Sequence, residues 1–419
     1  MDIFKISFLK SLYKNRWFPL VLQLFTLIVF ILLIAYAIGI TTNDAGFAKI
    51  LRNTNLSNLI VWSYWWPLII VVAIIFGRHW CTICPVELIT SIAGKFGIKR
   101  KPGSFLKSGW VITLFYLIIL VIGIHTLAIH RIPHRMAIYM LVLFAVAVVA
   151  GIIWEKRTFC TYICPVGHLL GLYSLLSMTE WRVKSQKTCE SCKTKDCIAR
   201  SRSYNITARS CTSELYPPRI KDNRKCILCS QCLSACPYDN FSLRTRKPLK
   251  DIFNNVKLSA AETGFIMLLS GFVVYEIVSE WKVTKEIILY IPHYISNFLS
   301  ISGMWAGTVK AVTLFILLPL LFFALFGGLQ KLVSKKTVRE SFADMALSFL
   351  PVIASMHLLK ATLKTTSRIP YWQFVSDDPK GITTAQAERS KMGKVVERVK
   401  ITNVFEPRKS VEIDALIDT

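Results

Sequence analysis

Seven apolar runs, each about as long as a membrane-spanning helix, dominate this chain of 419 residues. A helix needs roughly 20 apolar residues to cross the hydrocarbon of a bilayer. We expect spans at 17–40, 59–77, 110–130, 136–154, 260–278, 305–327 and 344–364. Only 18 % of the residues are charged, whereas a soluble domain has about 25 %. These features predict an integral membrane α-helical bundle and exclude a soluble globular enzyme and a disordered chain.

The basic residues predict the orientation of this bundle. The chain has 51 Lys and Arg against 25 Asp and Glu, a formal net charge of +26. They concentrate at the N-terminus and after the second, fourth and sixth runs, which seven crossings place on one side. An excess of Lys and Arg marks the cytoplasmic side. We therefore expect a bacterial inner-membrane protein with a cytoplasmic N-terminus and a periplasmic C-terminus, and we do not expect nucleic acid as a partner.

Two stretches that follow pairs of apolar runs resemble each other. The first reads Arg78-His-Trp-Cys-Thr-Ile-Cys-Pro, and the second reads Arg157-Thr-Phe-Cys-Thr-Tyr-Ile-Cys-Pro. Each continues into an apolar segment, 86–97 or 166–178, for which we expect an interfacial helix. The repetition predicts duplicated helix hairpins related by an axis along the membrane normal, within a first domain of residues 1–179.

The polar segment 180–250 lies between the fourth and fifth runs and holds eight cysteines. Its last four cysteines, followed by Pro237, have the bacterial ferredoxin spacing, in which the fourth cysteine ligates the other cluster. This predicts one [4Fe–4S] cluster on Cys189, Cys192, Cys197 and Cys236, and a second on Cys226, Cys229, Cys232 and Cys211. A zinc ribbon is the alternative, although a cysteine triple with a Cys-Pro fits a cubane better. We expect an inserted, cytoplasmic, ferredoxin-like domain.

Four further cysteines lie at the predicted membrane edge: Cys81, Cys84, Cys160 and Cys164. A reducing cytoplasmic location argues against a structural disulfide. Each pair could bind a soft ion such as Cu(I), all four could hold a third metal centre, or they could cycle as a dithiol. A packing role is the alternative without chemistry. His79 and His168 flank the pairs as candidate ligands, although contact with lipid headgroups is the more common role of such residues.

Ionisable residues in the spans of residues 251–364 are costly in a membrane and therefore mark function. They are Glu262, Glu276, Lys310, His357 and Lys360. Glu276, His357 and the deep His125 of the third span are our candidates for a quinone site, where a base would accept protons, with His130 and His134 nearby. Haem b between facing histidines is the less favoured alternative. For both lysines we expect snorkelling at the interface.

Two segments of the C-terminal third are not expected to span the membrane. The stretch 281–304 predicts an amphipathic helix on the outer side. The polar tail 365–419 has too few apolar residues for a core of its own, and we expect it to be extended, periplasmic and docked on a partner.

The two Cys-Pro motifs after paired helices, followed by a double-cluster segment, resemble the membrane polyferredoxins of the NapH, NosR and CcoG types. The resemblance covers about 60–250. It implies electron movement between a quinone pool or a cytoplasmic donor and a periplasmic acceptor, and copper reduction for the CcoG type. Cys81 and Cys84 depart from the usual Cys-x3-Cys-Pro by one residue, and neither a flavin-binding outer domain nor an immunoglobulin-like domain is present.

The leading hypothesis is a membrane-bound iron–sulfur electron conduit, the quinol dehydrogenase-type subunit of an oxidoreductase complex. Its expected partners are quinone and redox subunits, either a cytochrome or a periplasmic iron–sulfur protein. The alternatives are a copper reductase that serves cofactor assembly and a structural membrane subunit that senses redox state.

Overall fold

The computed structural model describes residues 2–15, 17–205, 207–254, 256–383, 396–402 and 410–416, and the fold is mostly helical. In this part of the chain, six helices are long and apolar enough to cross a membrane: Phe18–Ala37, Leu56–Phe76, Pro133–Ile153, Ala260–Val278, Trp305–Val333 and Val338–Asp377. The shorter apolar helix Trp110–Thr126 lies at the third predicted span. A helical membrane protein is thus confirmed, while the count of seven spans stays a prediction.

The N-terminal part is built from helices that alternate between long spans and short segments. In chain order they are α1 Ser7–Lys14, α2 Phe18–Ala37, α3 Ala45–Thr54, α4 Leu56–Phe76, α5 His79–Ile83, α6 Pro85–Phe96, α7 Ser104–Lys107, α8 Trp110–Thr126, α9 Pro133–Ile153, α10 Thr158–Tyr162 and α11 Pro165–Tyr173. Spans α4 and α8 contain π-helical turns at Ile60–Trp65 and Ile119–Thr126. Apolar side chains such as Val21 and Phe25 remain exposed on α2, as a lipid-facing surface requires.

Each Cys-Pro motif marks a break between two helices. Cys84 and Cys164 have extended backbone conformations, and Pro85 and Pro165 are the first residues of α6 and α11. Proline suits this first position because it has no N–H to leave unpaired, and it prevents the preceding helix from continuing. The break turns each motif's second cysteine out of the helical register of the first.

The short helix of each repeat packs against a span of the other repeat, an arrangement called the exchange below. Helix α6 packs against α9, a span of the second repeat, and α11 packs against α4, a span of the first. Gly151 permits the first of these contacts, because a Cβ there would lie 2.9 Å from Ala93 Cβ and from the Thr90 carbonyl oxygen. The exchange places both Cys-Pro motifs side by side.

The cysteine-rich segment is closed by a two-stranded antiparallel sheet, β1 Thr179–Val183 and β2 Phe241–Thr245, in which Trp181 pairs with Leu243. Its other elements are α12 Gln186–Glu190, α13 Gln231–Ser234 and α14 Lys250–Phe253, with 3₁₀ turns at Arg200–Arg202 and Pro217–Arg219. Phe4, within the 3₁₀ turn Ile3–Lys5, packs edge-on to Trp181 at 5.6 Å. The N-terminus and the cysteine-rich segment therefore lie on the same face.

The remaining helices complete the bundle: α15 Ala260–Val278, α16 Lys282–Phe298, α17 Trp305–Val333, α18 Val338–Thr366, a 3₁₀ turn Ile369–Tyr371 and α19 Trp372–Asp377. A π-helical turn, Thr313–Leu317, interrupts α17. The largest buried cluster joins α4, α8, α11, α15, α17 and α18. Helix α16 occupies the predicted amphipathic stretch and has mostly exposed residues.

The described part of the tail, for which the sequence predicts an extended segment, contains two paired strands. Strands β3 Val396–Thr402 and β4 Ser410–Leu416 pair antiparallel. Nearer the bundle, Asn55 Nδ2 donates to the Lys380 carbonyl at 3.0 Å, and Tyr64 packs on Trp372. The first part of the tail thus docks on this chain, at the face opposite the cysteines; residues 384–395, 403–409 and 417–419 lie outside the described residues.

Candidate functional site

The first four-cysteine cavity, here site A, is lined by Cys189, Cys192, Cys197 and Cys236. Asn240 Nδ2 donates to Cys189 Sγ at 3.1 Å, and the Lys195 amide donates to Cys192 Sγ at 3.4 Å. N–H donors directed at sulfur favour the thiolate form, which is the form that binds metal. Site A brings together the four cysteines that the spacing assigns to one cluster.

The second cavity, site B, is lined by Cys211, Cys226, Cys229 and Cys232. Leu228 and Ser230 adopt left-handed conformations with φ of 57° each, which curl the loop between the cysteines around the cavity. Such turns direct successive backbone N–H groups toward one point, as in many sites that bind anionic groups. Burial raises the pKa of Cys226 to about 12, so its thiolate needs a compensating cation.

The four remaining cysteines, Cys81, Cys84, Cys160 and Cys164, converge at the exchanged helices and form site C. The pKa of Cys84 is raised, and burial is the largest cause. The nearby thiols of Cys160, Cys81 and Cys164 raise it further. Burial likewise raises the pKa of Cys160 and Cys164. The two repeats therefore contribute two cysteines each to one buried site.

In the part of the chain that the structure describes, no three His, Cys, Asp or Glu side chains are close enough together to hold one metal ion.

Two buried arginines contact site C. Arg78 Nη2 lies 3.6 Å from Cys81 Sγ, and Arg157 hydrogen-bonds Cys160. Both guanidinium groups occupy equivalent positions, three residues before the first cysteine of each motif. Their positive charges offset the negative charge that four thiolates would bring.

Glu87 lies at the centre of a buried polar network next to site C. Its carboxylate accepts a hydrogen bond from Arg209 Nη2 at 2.7 Å and from Gln23 Nε2 at 2.6 Å, and Arg157 Nε lies 3.7 Å away. Burial alone would raise the pKa of Glu87, but Arg209 and Arg157 outweigh it and lower the pKa. Glu87 is therefore a buried anion held by two cations, and it ties the first repeat to the second and to the cysteine-rich segment.

Hydrogen bonds connect the three sites in sequence. The Cys211 amide donates to the Cys197 carbonyl at 2.8 Å, which joins site B to site A. The hydroxyl of Thr82, between the first two cysteines of site C, donates to the carbonyl of Ile227 in the site B loop. The order along the molecule is therefore A, B, C.

A large apolar cavity begins beside site C and extends among the spans. It has a volume of about 1240 Å³ including the space at its opening, and it is lined by Trp62, Trp65, Trp66, Tyr139 and other apolar residues. Pro165 and Val166, which follow Cys164, line one part, and Glu276, His357 and Lys360 also line it. Tyr173 and His357 Nδ1 are hydrogen-bonded at 2.9 Å.

The other candidates from the sequence lie elsewhere. His125 packs at 4.9 Å from Phe315 and is not among the residues lining the cavity. Lys310 donates to Tyr275 at 3.1 Å, and Glu262 pairs with Arg224 at 2.9 Å. His79 packs on Tyr13 and His130 on Trp62, while His134 accepts from Gly39. His168 packs on Phe265 and lines a second, basic cavity.

The family that matches this chain covers the two segments that contain site C. A family model described as a 4Fe–4S binding domain matches residues 58–103 and 136–185, which contain all four site C cysteines. The resemblance to the membrane 4Fe–4S polyferredoxins is thereby confirmed. Together with the apolar helices, this supports an iron–sulfur electron-transfer protein of the membrane.

Two relatives illustrate the extent of the likeness. NirI of Paracoccus denitrificans is 31 % identical over 121 residues, which are 26 % of this chain and 15 % of NirI. An uncharacterised protein of Methanocaldococcus jannaschii is 25 % identical over 191 residues, 42 % of this chain and 71 % of that protein. No solved structure matches the chain significantly.

Sequence reasoning overlooked four residues around site C of this polyferredoxin-like chain: Arg78, Arg157, Glu87 and Arg209. The repeated arginine, always three residues before a cysteine, was a usable signal. Glu87 had no such signal, because its equivalent in the second repeat is Gly167. Arg209 is distant in sequence, and only the folded chain brings it to Glu87.

Proposed function

We propose that the chain moves electrons between a quinol bound in the apolar cavity and a redox partner at the cysteine-bearing face. The observation that carries this proposal is the succession of sites A, B and C, linked by hydrogen bonds, with the apolar cavity beginning at Pro165 directly after Cys164 of site C. A [4Fe–4S] cluster supplies one-electron chemistry when it is bound.

The residues would hold three clusters. Site A would hold one through Cys189, Cys192, Cys197 and Cys236, and site B another through Cys211, Cys226, Cys229 and Cys232. Site C would hold a third, supported by the family match to both of its motifs. Buried thiols with raised pKa values fit this group, because iron compensates the thiolate charge.

The lining of the cavity suits the chemistry of a quinone ring. Quinol oxidation releases two electrons and two protons, so a site needs an apolar pocket and proton acceptors. Trp65 and Trp66 supply flat apolar surfaces, and His357 and Glu276 supply basic atoms. Tyr173 orients the His357 ring through its hydrogen bond, and Lys360 pairs with Glu276 at 3.5 Å.

The test is quinol-driven reduction of the clusters in the full chain, purified anaerobically. Duroquinol is added, and cluster reduction is followed by spin resonance with iron content as a check on loading. We expect His357→Gln to slow reduction at least tenfold with unchanged iron. The exposed His293→Gln is the matched control, and His125→Gln separates the two histidine candidates.

Two results would contradict the proposal. One is a wild-type chain with full iron content whose clusters are never reduced by quinol. The other is a His125→Gln variant that loses reduction while His357→Gln keeps it, which would move the quinol away from this cavity.

A further inference from the structure

The second large cavity of the molecule is basic and lies at the cysteine-bearing ends of four apolar helices. It is lined by α10 and α11, by the residues that follow α4 and α9, and by the starts of α8 and α15, and it has a volume of about 1280 Å³ including the space at its mouth. Residues of the segments that flank these helices line it, among them Arg78, Lys107, Arg157 and Lys257. Cys160 of site C also lines it. The apolar quinol cavity shares none of these residues.

The charges around this cavity are strongly unbalanced. Six lining residues are cations, namely Arg78, Lys107, Arg157, Arg224, Lys225 and Lys257, against the single carboxylate of Glu262. That carboxylate is already engaged, because it accepts from Arg224 Nη1 at 2.9 Å and from the Ser259 amide at 2.7 Å. Arg157 shares Glu87 with Arg209. The remaining cations have an anion as their natural complement.

The wall of the cavity contains buried donors that lack partners. Within the described residues, Arg78 Nε and His168 Nε2 are buried and form no hydrogen bond. Arg78 itself is only 7 % exposed, and its Nη1 is fixed by the Arg224 carbonyl at 2.6 Å. Buried polar atoms are almost always satisfied, so an unpartnered guanidinium nitrogen beside a cavity indicates a missing acceptor.

The positions of the cations indicate which kind of anion the cavity would bind. Two guanidinium groups lie in the buried part, whereas Lys107, Lys225 and Lys257 are exposed at the rim. Planar guanidinium groups bind tetrahedral oxyanions through paired donors, and lysines add long-range attraction. Basic pockets between spanning helices at the membrane surface are suited to anionic headgroups.

We propose that this cavity binds a phosphate group, carried either by an anionic phospholipid or by a soluble phosphate compound. Arg78 and His168 contact the phosphate, and Lys225 and Lys257 attract it. Because Arg78 also lies 3.6 Å from Cys81 Sγ, the bound anion lies within the electrostatic reach of site C. The binding itself does not depend on the proposed quinol chemistry.

The test measures binding to the full chain in neutral detergent by native mass spectrometry. The probes are dioleoylphosphatidylglycerol, dioleoylphosphatidylcholine and inorganic phosphate. Lys225→Gln combined with Lys257→Gln should weaken binding of the anionic lipid about 25-fold, or roughly fivefold for each cation removed. The matched control combines Lys95→Gln with Lys101→Gln, two exposed lysines that do not line the cavity. Iron content and melting temperature verify that both double variants are folded.

Each outcome decides the proposal. Selective retention of phosphatidylglycerol, unaffected by phosphate, supports a lipid headgroup as the source. Displacement of the lipid by inorganic phosphate, or binding of phosphate alone, supports a soluble compound. Equal binding of both lipids with no binding of phosphate overturns the proposal, and so does an equal loss in the control variant.

Discussion

The backbone amide of Cys211 donates a hydrogen bond to the backbone carbonyl of Cys197 over 2.8 Å. A proposed ligand of site B is thus bonded directly to a proposed ligand of site A. Thr82 forms the corresponding link between site C and the site B loop. Two hydrogen bonds therefore link the three cysteine sites in the order A, B, C.

Metal content tests how many of the cysteine sites carry clusters. We expect about twelve irons and about twelve acid-labile sulfides per chain, since each cubane has four of each. Replacing Cys81 and Cys160 with Ser should remove about four irons and leave the spectra of the other two clusters intact. Anaerobic iron and sulfide assays check this. About eight irons in the wild type would remove site C from the relay, and zinc in place of iron would refute the whole assignment.

Glu87 should be the most stabilising carboxylate near site C. Glu87→Gln leaves Arg157 and Arg209 buried without an anion, and we expect a loss of about 3–5 kcal/mol. The ion pair between the half-buried Lys156 and the exposed Glu214 is the control, because Glu214→Gln should cost less than about 1 kcal/mol. Thermal unfolding of the full chain in detergent compares the two. Equal melting temperatures for the two variants would contradict the ion-pair role of Glu87.

The same carboxylate predicts how stability depends on pH. Arg209 and Arg157 lower the folded pKa of Glu87 below its ordinary value of 4.5. Its contribution is therefore complete above pH 4.5 and is lost as pH falls through the lower folded pKa. Melting curves between neutral and acidic pH should show less acid destabilisation in Glu87→Gln than in the wild type. Parallel curves would indicate that Glu87 is not charged in the folded chain.

The pattern of local sequence predicted much of this fold, because membrane helices depend on long apolar runs and little else. The run Ala260–Val278 begins and ends where the apolar run does. The helix at Trp110 differs, because it ends at Thr126 in a π-helical turn rather than near 130. Cysteine spacing likewise grouped the residues that surround sites A and B, since a ferredoxin loop is a local structure.

Contacts between distant parts of the chain could not be predicted in this way. The packing of α6 on α9, a span of the other repeat, depends on close approach at Gly151, a residue without its own signal in the sequence. Arg209 lies far from Glu87 along the chain and meets it only after the cysteine-rich segment folds against the bundle. His125 and His357 looked alike as deep histidines, but only His357 lines the cavity.

Asn240 should set the reduction potential of site A. Its side-chain N–H donates to Cys189 Sγ at 3.1 Å, and hydrogen bonds to sulfur stabilise the more negative, reduced cluster. Asn240→Ala should therefore lower the midpoint potential of one cluster and leave the others unchanged. A redox titration followed by spin resonance checks this, with the exposed Asn205→Ala as the control. Unchanged potentials at full iron content would mean that this hydrogen bond has no electronic role.

Thr82 should fasten the cysteine-rich segment to the membrane domain. Thr82→Val keeps the shape of the side chain but leaves the buried carbonyl of Ile227 without its donor, which should cost about 1–3 kcal/mol. We expect faster cleavage of residues 180–250 by a protease at unchanged iron content. Thr161→Val alters the equivalent position of the second repeat and should leave the cleavage rate unchanged. If both variants are cleaved at the wild-type rate, other contacts such as that between Arg209 and Glu87 are sufficient to hold the segment in place.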